Sequence, residues 1–370
     1  MRIGLIIDTF NIGGAETMVF EIAKLLKQDG HTPVLLHFGS SYVEAFCDER
    51  QIEKHVIPNR RFYKKTVLLP LFALKTKSFI QALNLDCLHA HLFGPIVAFA
   101  PLAWMAKLPF VGTLHDVYMV EGSAHRALLL RQAILFKAKL TAVSNPMREF
   151  YLKTLRCKND DIVYIPNCTR FNKYESNRAA IRDSLNLDSS TIALISVGRL
   201  VELKRFDIFI EAIAKIDDLS HVKAFIVGDG PERGRLEALI ANHNLDDHVF
   251  MLGERDDVEE LLAAADIFSL TSETEGMSKS ILEALAAGLP VVATNVGGNK
   301  DLVIHGENGY LSHDHAPSSV GQLLANLVSD SSLREEMGIK SRAILEREYN
   351  PELFLQTGIK VNEVIRGVKI

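Results

Sequence analysis

Two trains of short apolar segments, each followed by a turn and then a helical stretch, constrain this chain more than any other feature. In the first train residues 3–8, 33–38, 86–90, 109–114, 140–143 and 162–165 read as strands; the second opens at Thr191 and places strands at 192–197, 222–227, 249–253, 266–270 and 290–294. Unbroken apolar runs of this length suit strands buried on both faces, and strands that alternate with helices pair in parallel through crossovers. The expected fold class is α/β, with doubly wound, Rossmann-like sheets that bind ligands beyond the carboxyl ends of their strands. At 370 residues the chain is too long for one ordinary core and suits two domains.

The stretch from Ser272 to Gly298 carries the most chemistry. It contains a short helix, expected over residues 278–287, which Gly276 and Ser278 open and Gly288 with Pro290 closes. Ile281, Leu282 and Leu285 share a stripe that faces the sheet, and this turns Glu283 toward a cleft or solvent. A helix N-terminus behind a glycine-containing loop offers backbone N–H groups and partial positive charge to a phosphate. Glu275 stands just before this end and Glu283 about one and a half turns inside it, so two carboxylates bracket an anion site. A nucleotide diphosphate sugar fits, with diphosphate at the helix end, sugar at Glu275 and ribose at Glu283. The plain alternative for Glu283 is a surface residue paired with Lys279 at i,i+4, worth only about 0.3–0.5 kcal/mol.

Other candidates also stand at the ends of strands. Gly13 and Gly14 lie between the first strand and its helix, where paired glycines let backbone approach a ligand closely; without a Gly-x-Gly-x-x-Gly pattern there is no dinucleotide fingerprint. His115 follows the strand at 109–114, and His89 and His91 end the preceding one, facing the acceptor side. Arg199 and Lys204 follow the strand at 192–197; they either supply the charge-assisted donors that a diphosphate needs or are ordinary surface cations. Gly228-Asp-Gly-Pro231 reads as a structural turn.

Composition narrows the partners. No apolar run approaches 18 residues, and Met1-Arg2 leads straight into a strand rather than a signal peptide, which makes the cytoplasm the expected compartment. Cys47, Cys87, Cys157 and Cys168 are scattered without Cys-x-x-Cys and read as reduced structural thiols. Residues 1–175 hold 22 Lys/Arg against 15 Asp/Glu, a net of +7, whereas residues 176–370 hold 19 against 31, a net of −12. Two stretches lack acids altogether. Residues 54–85 carry seven basic residues interleaved with Phe62, Tyr63, Leu68, Leu69 and Phe72, and residues 122–148 carry Arg126, Arg131, Lys137, Lys139 and Arg148. Such stretches suit an anionic membrane surface or a solvated helix face. Nothing resembles a nucleic-acid-binding motif, so no nucleic acid is expected.

Glu275 and Glu283, with seven residues between them and Ala-Leu-Ala-Ala-Gly-Leu-Pro-Val-Val-Ala-Thr after them, resemble the Glu-x7-Glu signature of retaining glycosyltransferases of family 4. The resemblance extends over nearly the whole chain. Gly13 and Gly14 match that family's glycine-rich loop, Arg199 and Lys204 match its Gly-Arg-Leu-x-x-x-Lys segment, and Ile165-Pro-Asn167 matches its Ile-Pro-Asn-Gly, with Cys168 in place of the glycine.

The resemblance implies a GT-B fold: two Rossmann-like domains facing each other across a cleft. An acceptor-side domain would span residues 1–168 and a linker 169–177, with a donor-side domain over 178–350 and a C-terminal helix in 351–370 packing back on the first domain. It implies a metal-independent transferase, consistent with the lack of any Asp-x-Asp, that moves a hexose or N-acetylhexosamine from a nucleotide diphosphate sugar, a UDP-sugar by preference over GDP-mannose, to an acceptor hydroxyl. It further implies diphosphate contacts from Gly13, Gly14, Arg199, Lys204, Met277 and Ser278. Sugar contacts would come from His115, Glu275 and Gly276, with His115 and Glu275 nearest the chemistry, and nucleoside contacts from Glu283, Leu252 and Arg255. A glycan or lipid-linked acceptor of bacterial surface polysaccharide synthesis would account for the basic N-terminal half, placing the protein peripherally on the inner face of the membrane. The alternatives are a nucleotide sugar 2-epimerase of the same fold and a two-domain ligand-binding protein.

Overall fold

The computed structural model describes residues 1–8, 13–169 and 178–356. The chain divides into two compact units, Met1–Asn167 with Pro351–Ile370, and Cys168–Asn350. The expected linker, 169–177, lies outside the described residues except for Thr169, as does the expected C-terminal helix beyond residue 356; residues 351–356 are helical.

The first unit is built on seven strands: β1 (Arg2–Ile6), β2 (Thr32–His37), β3 (Glu53–Val56), β4 (Cys87–His91), β5 (Phe110–Leu114), β6 (Lys139–Ala142) and β7 (Ile162–Tyr164). All pair in parallel, in the order β3-β2-β1-β4-β5-β6-β7. The order reverses between β1 and β4, the kind of position at which doubly wound sheets bind ligands. Every residue of β5 is buried. The helix Phe93–Ala106 is apolar on nearly all sides, and it lies between the helices Leu69–Ala82 and Ala124–Leu135 because such a helix has no face to give to water.

The second unit carries β8 (Ile192–Val197), β9 (Val222–Val227), β10 (Val249–Gly253), β11 (Ile267–Leu270), β12 (Val291–Thr294) and β13 (Gly309–Ser312), parallel in the order β10-β9-β8-β11-β12-β13. Here the reversal falls between β8 and β11. Its core joins strand residues such as Leu194, Ile226 and Ile267 to Phe206, Phe209 and Ile213 of the helix Phe206–Ile213, against which Val320 and Leu324 of the helix Pro317–Ser329 pack.

Two strands depart from the expectation, and both lie at sheet edges. β3 reads Glu-Lys-His-Val and is only half-buried, so it lacks the apolar run that marks an interior strand. β13 begins at Gly309, directly after a turn over residues 306–308, and pairs with β12. The helix after β10 spans Val258–Ala264, and just before it the Arg255 guanidinium turns onto Asp257 at 2.7 and 2.5 Å.

The acid-free stretches also differ from a uniform basic face. Phe72 is fully buried and Tyr63 stacks on Phe38, whereas the apolar side chains left in water are Val56, Val67, Leu71 and Leu74, in a stretch whose Arg60, Arg61, Lys64, Lys65 and Lys75 are also exposed. In residues 122–148, Lys139 and Arg148 are tied to backbone carbonyls of Asn159, Asp160 and Ile162, and the exposed apolar residues are Leu128 and Leu135.

Candidate active site

Because β8, β11 and β12 are neighbours, the loops leaving their carboxyl ends meet. Hydrogen bonds knit them together. Glu273 N donates to Leu203 O (2.8 Å), Thr271 Oγ1 to Arg205 O (2.8 Å) and Thr294 Oγ1 to Ser272 O (2.6 Å). The loop after β12 then presses on Glu275 itself: Gly297 takes φ +45°, and a Cβ there would lie 1.7 Å from the Glu275 carbonyl oxygen.

At this junction Lys204 Nζ lies 2.6 Å from Glu275 Oε1, and Ser272 Oγ donates to the same oxygen at 2.6 Å. The two charged side chains are 26% and 10% exposed, enough cover to strengthen the pair beyond a surface ion pair. One carboxylate oxygen is thus saturated. Oε2 makes no bond among the described residues and remains an acceptor for a hydroxyl, and the Lys204 ammonium keeps two N–H donors for an anion. Arg199, exposed on the loop leaving β8, has no side-chain partner among the described residues. Arg205, beside Lys204, turns onto Asp207 at 3.1 Å and is occupied.

The helix after this loop is Lys279–Ala287, with Ser278 as its cap: Ser278 Oγ accepts from Ile281 N at 3.2 Å. This leaves the N–H groups of Lys279 and Ser280 without a partner among the described residues, at the positive end of the helix dipole. Met277 and Ser278 are buried and Gly276 is half-buried, so the loop offers backbone more than side chains. Ile281, Leu282 and Leu285 are fully buried, contributing about 1.5–3 kcal/mol each, and they fix the helix so that Glu283 lies on another side. Glu283 does pair with Lys279, at 2.9 Å, yet it is only 15% exposed and is not a surface residue. Leu252 lies in β10 and Arg255 two residues past its end, two strands from β8 and about 10 Å away across the sheet; Arg255 is exposed and held by Asp257.

The remaining predicted residues belong to the first unit. Gly13 caps the helix Gly14–Gln28 in extended backbone, and Thr17 Oγ1 donates to the Gly13 and Gly14 carbonyls at 3.0 Å. Gly14 is exposed, and a Cβ there would meet nothing. Asp8, at the end of β1, accepts from Tyr63 Oη, and burial raises its pKa above the usual carboxylate range. Gly94 fits against this pair, since a Cβ would lie 2.6 Å from Tyr63 Oη.

His115 leaves β5 and is half-buried. His91 Nδ1 lies 3.0 Å from His115 Nε2, and the His89 ring stacks on His91 with centroids 4.2 Å apart. His89 Nε2 and the hydroxyls of Thr113 and Thr141 continue the chain at 2.7 Å each. Burial pulls the His115 pKa down to about 4 and that of His89 to about 3, and holds that of His91 well below 6.5, so all three rings are neutral at pH 7. His89 and His115 line a cavity of about 50 Å³ with Thr113, Thr141 and Asn167. His91 does not line an acceptor surface as expected: it is fully buried and turned to His115.

The second unit therefore gathers Arg199, Lys204, Glu275, Gly276, Met277 and Ser278 at one strand-order reversal, with Glu283 further along the helix and Leu252 and Arg255 on the flank; Gly13, Gly14 and His115 lie in the first unit. Ser272, Thr294 and Gly297, which hold Glu275, escaped the sequence reading. Ser272 stands three residues before Glu275, a spacing that lets a hydroxyl reach a carboxylate, but many Ser–Glu pairs share it.

A model of glycosyl transferases group 1 matches residues 177–344, and one of glycosyltransferase family 4 matches residues 12–171. Along 358 residues the chain is 29% identical to N-acetyl-alpha-D-glucosaminyl L-malate synthase of Bacillus anthracis, covering 92% of this chain and 91% of that protein. Among solved structures, Anabaena Alr3699/HepE in complex with UDP superposes with a TM-score of 0.86 at 23% identity over 97% of this chain and 99% of its own. WaaG, a glycosyltransferase involved in lipopolysaccharide biosynthesis, gives 0.73 at 19% identity over 99% and 100%.

Proposed function

We propose, from the premise that this chain is a GT-B glycosyltransferase, that it is a retaining enzyme which transfers an N-acetylhexosamine or hexose from a UDP-sugar to an acceptor hydroxyl in bacterial surface-glycan or lipid-linked glycan synthesis. The observation that carries this reading is the Lys204–Glu275–Ser272 cluster beside an open helix N-terminus at the strand-order reversal of the second unit. Lys204, Arg199 and the N–H groups of Lys279 and Ser280 supply fixed positive charge for a departing diphosphate, and preorganised charge of this kind dominates such transfers. Glu275 Oε2 accepts from a sugar hydroxyl, and Glu283 accepts from the ribose in exchange for its pair with Lys279. His115 keeps the role that the resemblance implies, contact with the donor sugar near the reacting carbon.

The relatives support the donor class: HepE was solved with UDP, and the Bacillus anthracis protein is an N-acetylglucosaminyl L-malate synthase. We assign no enzymic nucleophile. The leaving phosphate takes the acceptor proton on the face it leaves, which retains configuration, and cationic side chains with helix N–H groups take the place of a metal.

In the first unit, Leu71 and Leu74, Trp104, and Leu128 and Leu135 are exposed on three adjacent helices, flanked by Arg60, Arg61, Lys64, Lys65, Arg131 and Lys137. This pairing of exposed apolar side chains with basic ones suits the anionic face of a membrane, where a lipid-linked acceptor is found.

The test is thermal stabilisation by UDP, GDP, ADP and their sugars, with and without EDTA, on the wild type and on Lys204→Ala. At 100 times its Kd a ligand adds about 2.7 kcal/mol of stability. A shift with UDP and UDP-N-acetylhexosamine that survives EDTA and vanishes in Lys204→Ala is expected; no shift with any nucleotide removes the donor site as drawn.

A further inference from the structure

We infer that His91 is a positioning residue: its Nδ1–H donates to His115 Nε2 and locks His115 in the tautomer that carries its proton on Nδ1, which makes His115 a hydrogen-bond donor to the donor sugar. The part concerning the sugar rests on the role proposed for His115; the tautomer rests on geometry alone.

The two ring nitrogens lie 3.0 Å apart, and burial keeps both rings neutral near pH 7, so one proton lies between them. Either ring could donate it in principle. His91 Nε2 decides, because it is buried and has no partner among the described residues. If His115 donated, neutral His91 would carry its own proton on Nε2 and bury an N–H with no acceptor, an arrangement that folded proteins almost never tolerate. With His91 donating from Nδ1, Nε2 holds only a lone pair, and an unmatched acceptor is the lesser cost. His115 then accepts at Nε2 and, being neutral, bears its proton on Nδ1, the nitrogen that makes no bond among the described residues.

The surroundings hold His91 in place. Its ring is fully buried and stacks on His89 at 4.2 Å, and His89 is itself anchored to Thr113 at 2.7 Å. The next residue, Leu92, sits at φ 72°, ψ 163°, a region almost reserved for glycine, which persists only where neighbouring structure overrides it. Leu92 N donates to Thr113 O at 3.1 Å and Leu92 O accepts from Ile96 N at 3.2 Å, so both ends of the turn are pinned. A His115 ring without this support is free to adopt the other tautomer, which would point a lone pair instead of a donor at a sugar hydroxyl.

The measurement is long-range ¹H–¹⁵N correlation on the ¹⁵N-labelled full chain at pH 7.5, with sugar transfer assayed in parallel on His91→Phe, His91→Asn and His115→Ala. His115 protonated on Nδ1 in the wild type, and shifted toward Nε2 in His91→Phe, is expected. His91→Phe should lower kcat about tenfold, the worth of one hydrogen bond, with donor KM changed less than about threefold. His91→Asn, whose amide N–H lies near the position of Nδ1–H, should recover most of that loss. A wild-type spectrum with His115 protonated on Nε2 overturns the proposal even if His91→Phe does not fold, as does a His115 tautomer left unchanged in His91→Phe. Full transfer by His115→Ala would instead remove the sugar-contact role of His115 while leaving the tautomer result standing.

Discussion

Replacing Gly297 by alanine tests whether the loop after β12 sets the position of Glu275. Two costs add. An L residue held at φ +45° gives up about 1–2 kcal/mol. The added Cβ would also lie 1.7 Å from the Glu275 carbonyl oxygen, where real Cβ contacts stay beyond 3.0 Å, so one of the two segments must move by 1.3 Å. Forcing a methyl into such a space costs about 1–3 kcal/mol more. The total, about 2–5 kcal/mol, lowers the melting temperature of a unit of this size by roughly 4–20 °C. The displacement reaches the Glu275 side chain and its bonds to Lys204 and Ser272, and an ångström of misplacement at reacting groups costs on the order of 100-fold in rate.

Gly306→Ala is the control. Gly306 has φ +84° with nothing near its Cβ, so it carries the backbone cost alone, roughly 2–8 °C, and leaves turnover unchanged. Scanning fluorimetry and UDP release measured on both variants separate the effects. Should Gly297→Ala match Gly306→Ala in both readouts, the close approach to Glu275 has no bearing on the site.

Further outcomes follow from the same geometry. Glu283→Ala should weaken UDP binding by calorimetry about tenfold, and Glu275→Ala should chiefly lower kcat; small and equal effects from both would undo the assignment of the two carboxylates. Because His89 and His115 have folded pKa values of about 3 and about 4 against 6.5 in the unfolded chain, the unfolded state gains protons first as pH falls. Their contribution to stability is complete above about pH 6.5 and is lost from there toward pH 4 for His115 and pH 3 for His89, by up to about 1.4 kcal/mol per pH unit each. Melting temperature measured from pH 7.5 to 5 should therefore fall less steeply in His89→Asn than in the wild type, and parallel slopes would contradict the neutral cluster. Sedimentation with anionic vesicles at low salt should capture the wild type and lose Leu74→Glu with Leu135→Glu; wild type left in the supernatant would refute the membrane face.

Much of the architecture was legible because interior parallel strands declare themselves as unbroken apolar runs, and each run here ends where a loop carries glycine or charge. The same logic hid β3 and β13. An edge strand buries one side at most, so Glu-Lys-His-Val looks like surface and Gly309 looks like the end of a turn. Within the candidate site, Arg199, Lys204, Glu275 and Ser278 could be named from their places after strands and before a helix, since local order along the chain puts them there.

What spacing along the chain does not encode is which loops touch. Lys204 and Glu275 are 71 residues apart and His91 and His115 are 24 apart; they pair because β8 lies beside β11 and β4 beside β5, an order decided by sheet assembly. The direction of each side chain followed from the same packing. Phe72 turned inward although it lies in an acid-free, basic stretch, Glu283 was nearly covered although it opposes the apolar stripe, and His91 became the support of His115 because burial left its other nitrogen without a partner. Burial and pairing are properties of neighbours in space, and the sequence alone determined only the neighbours along the chain.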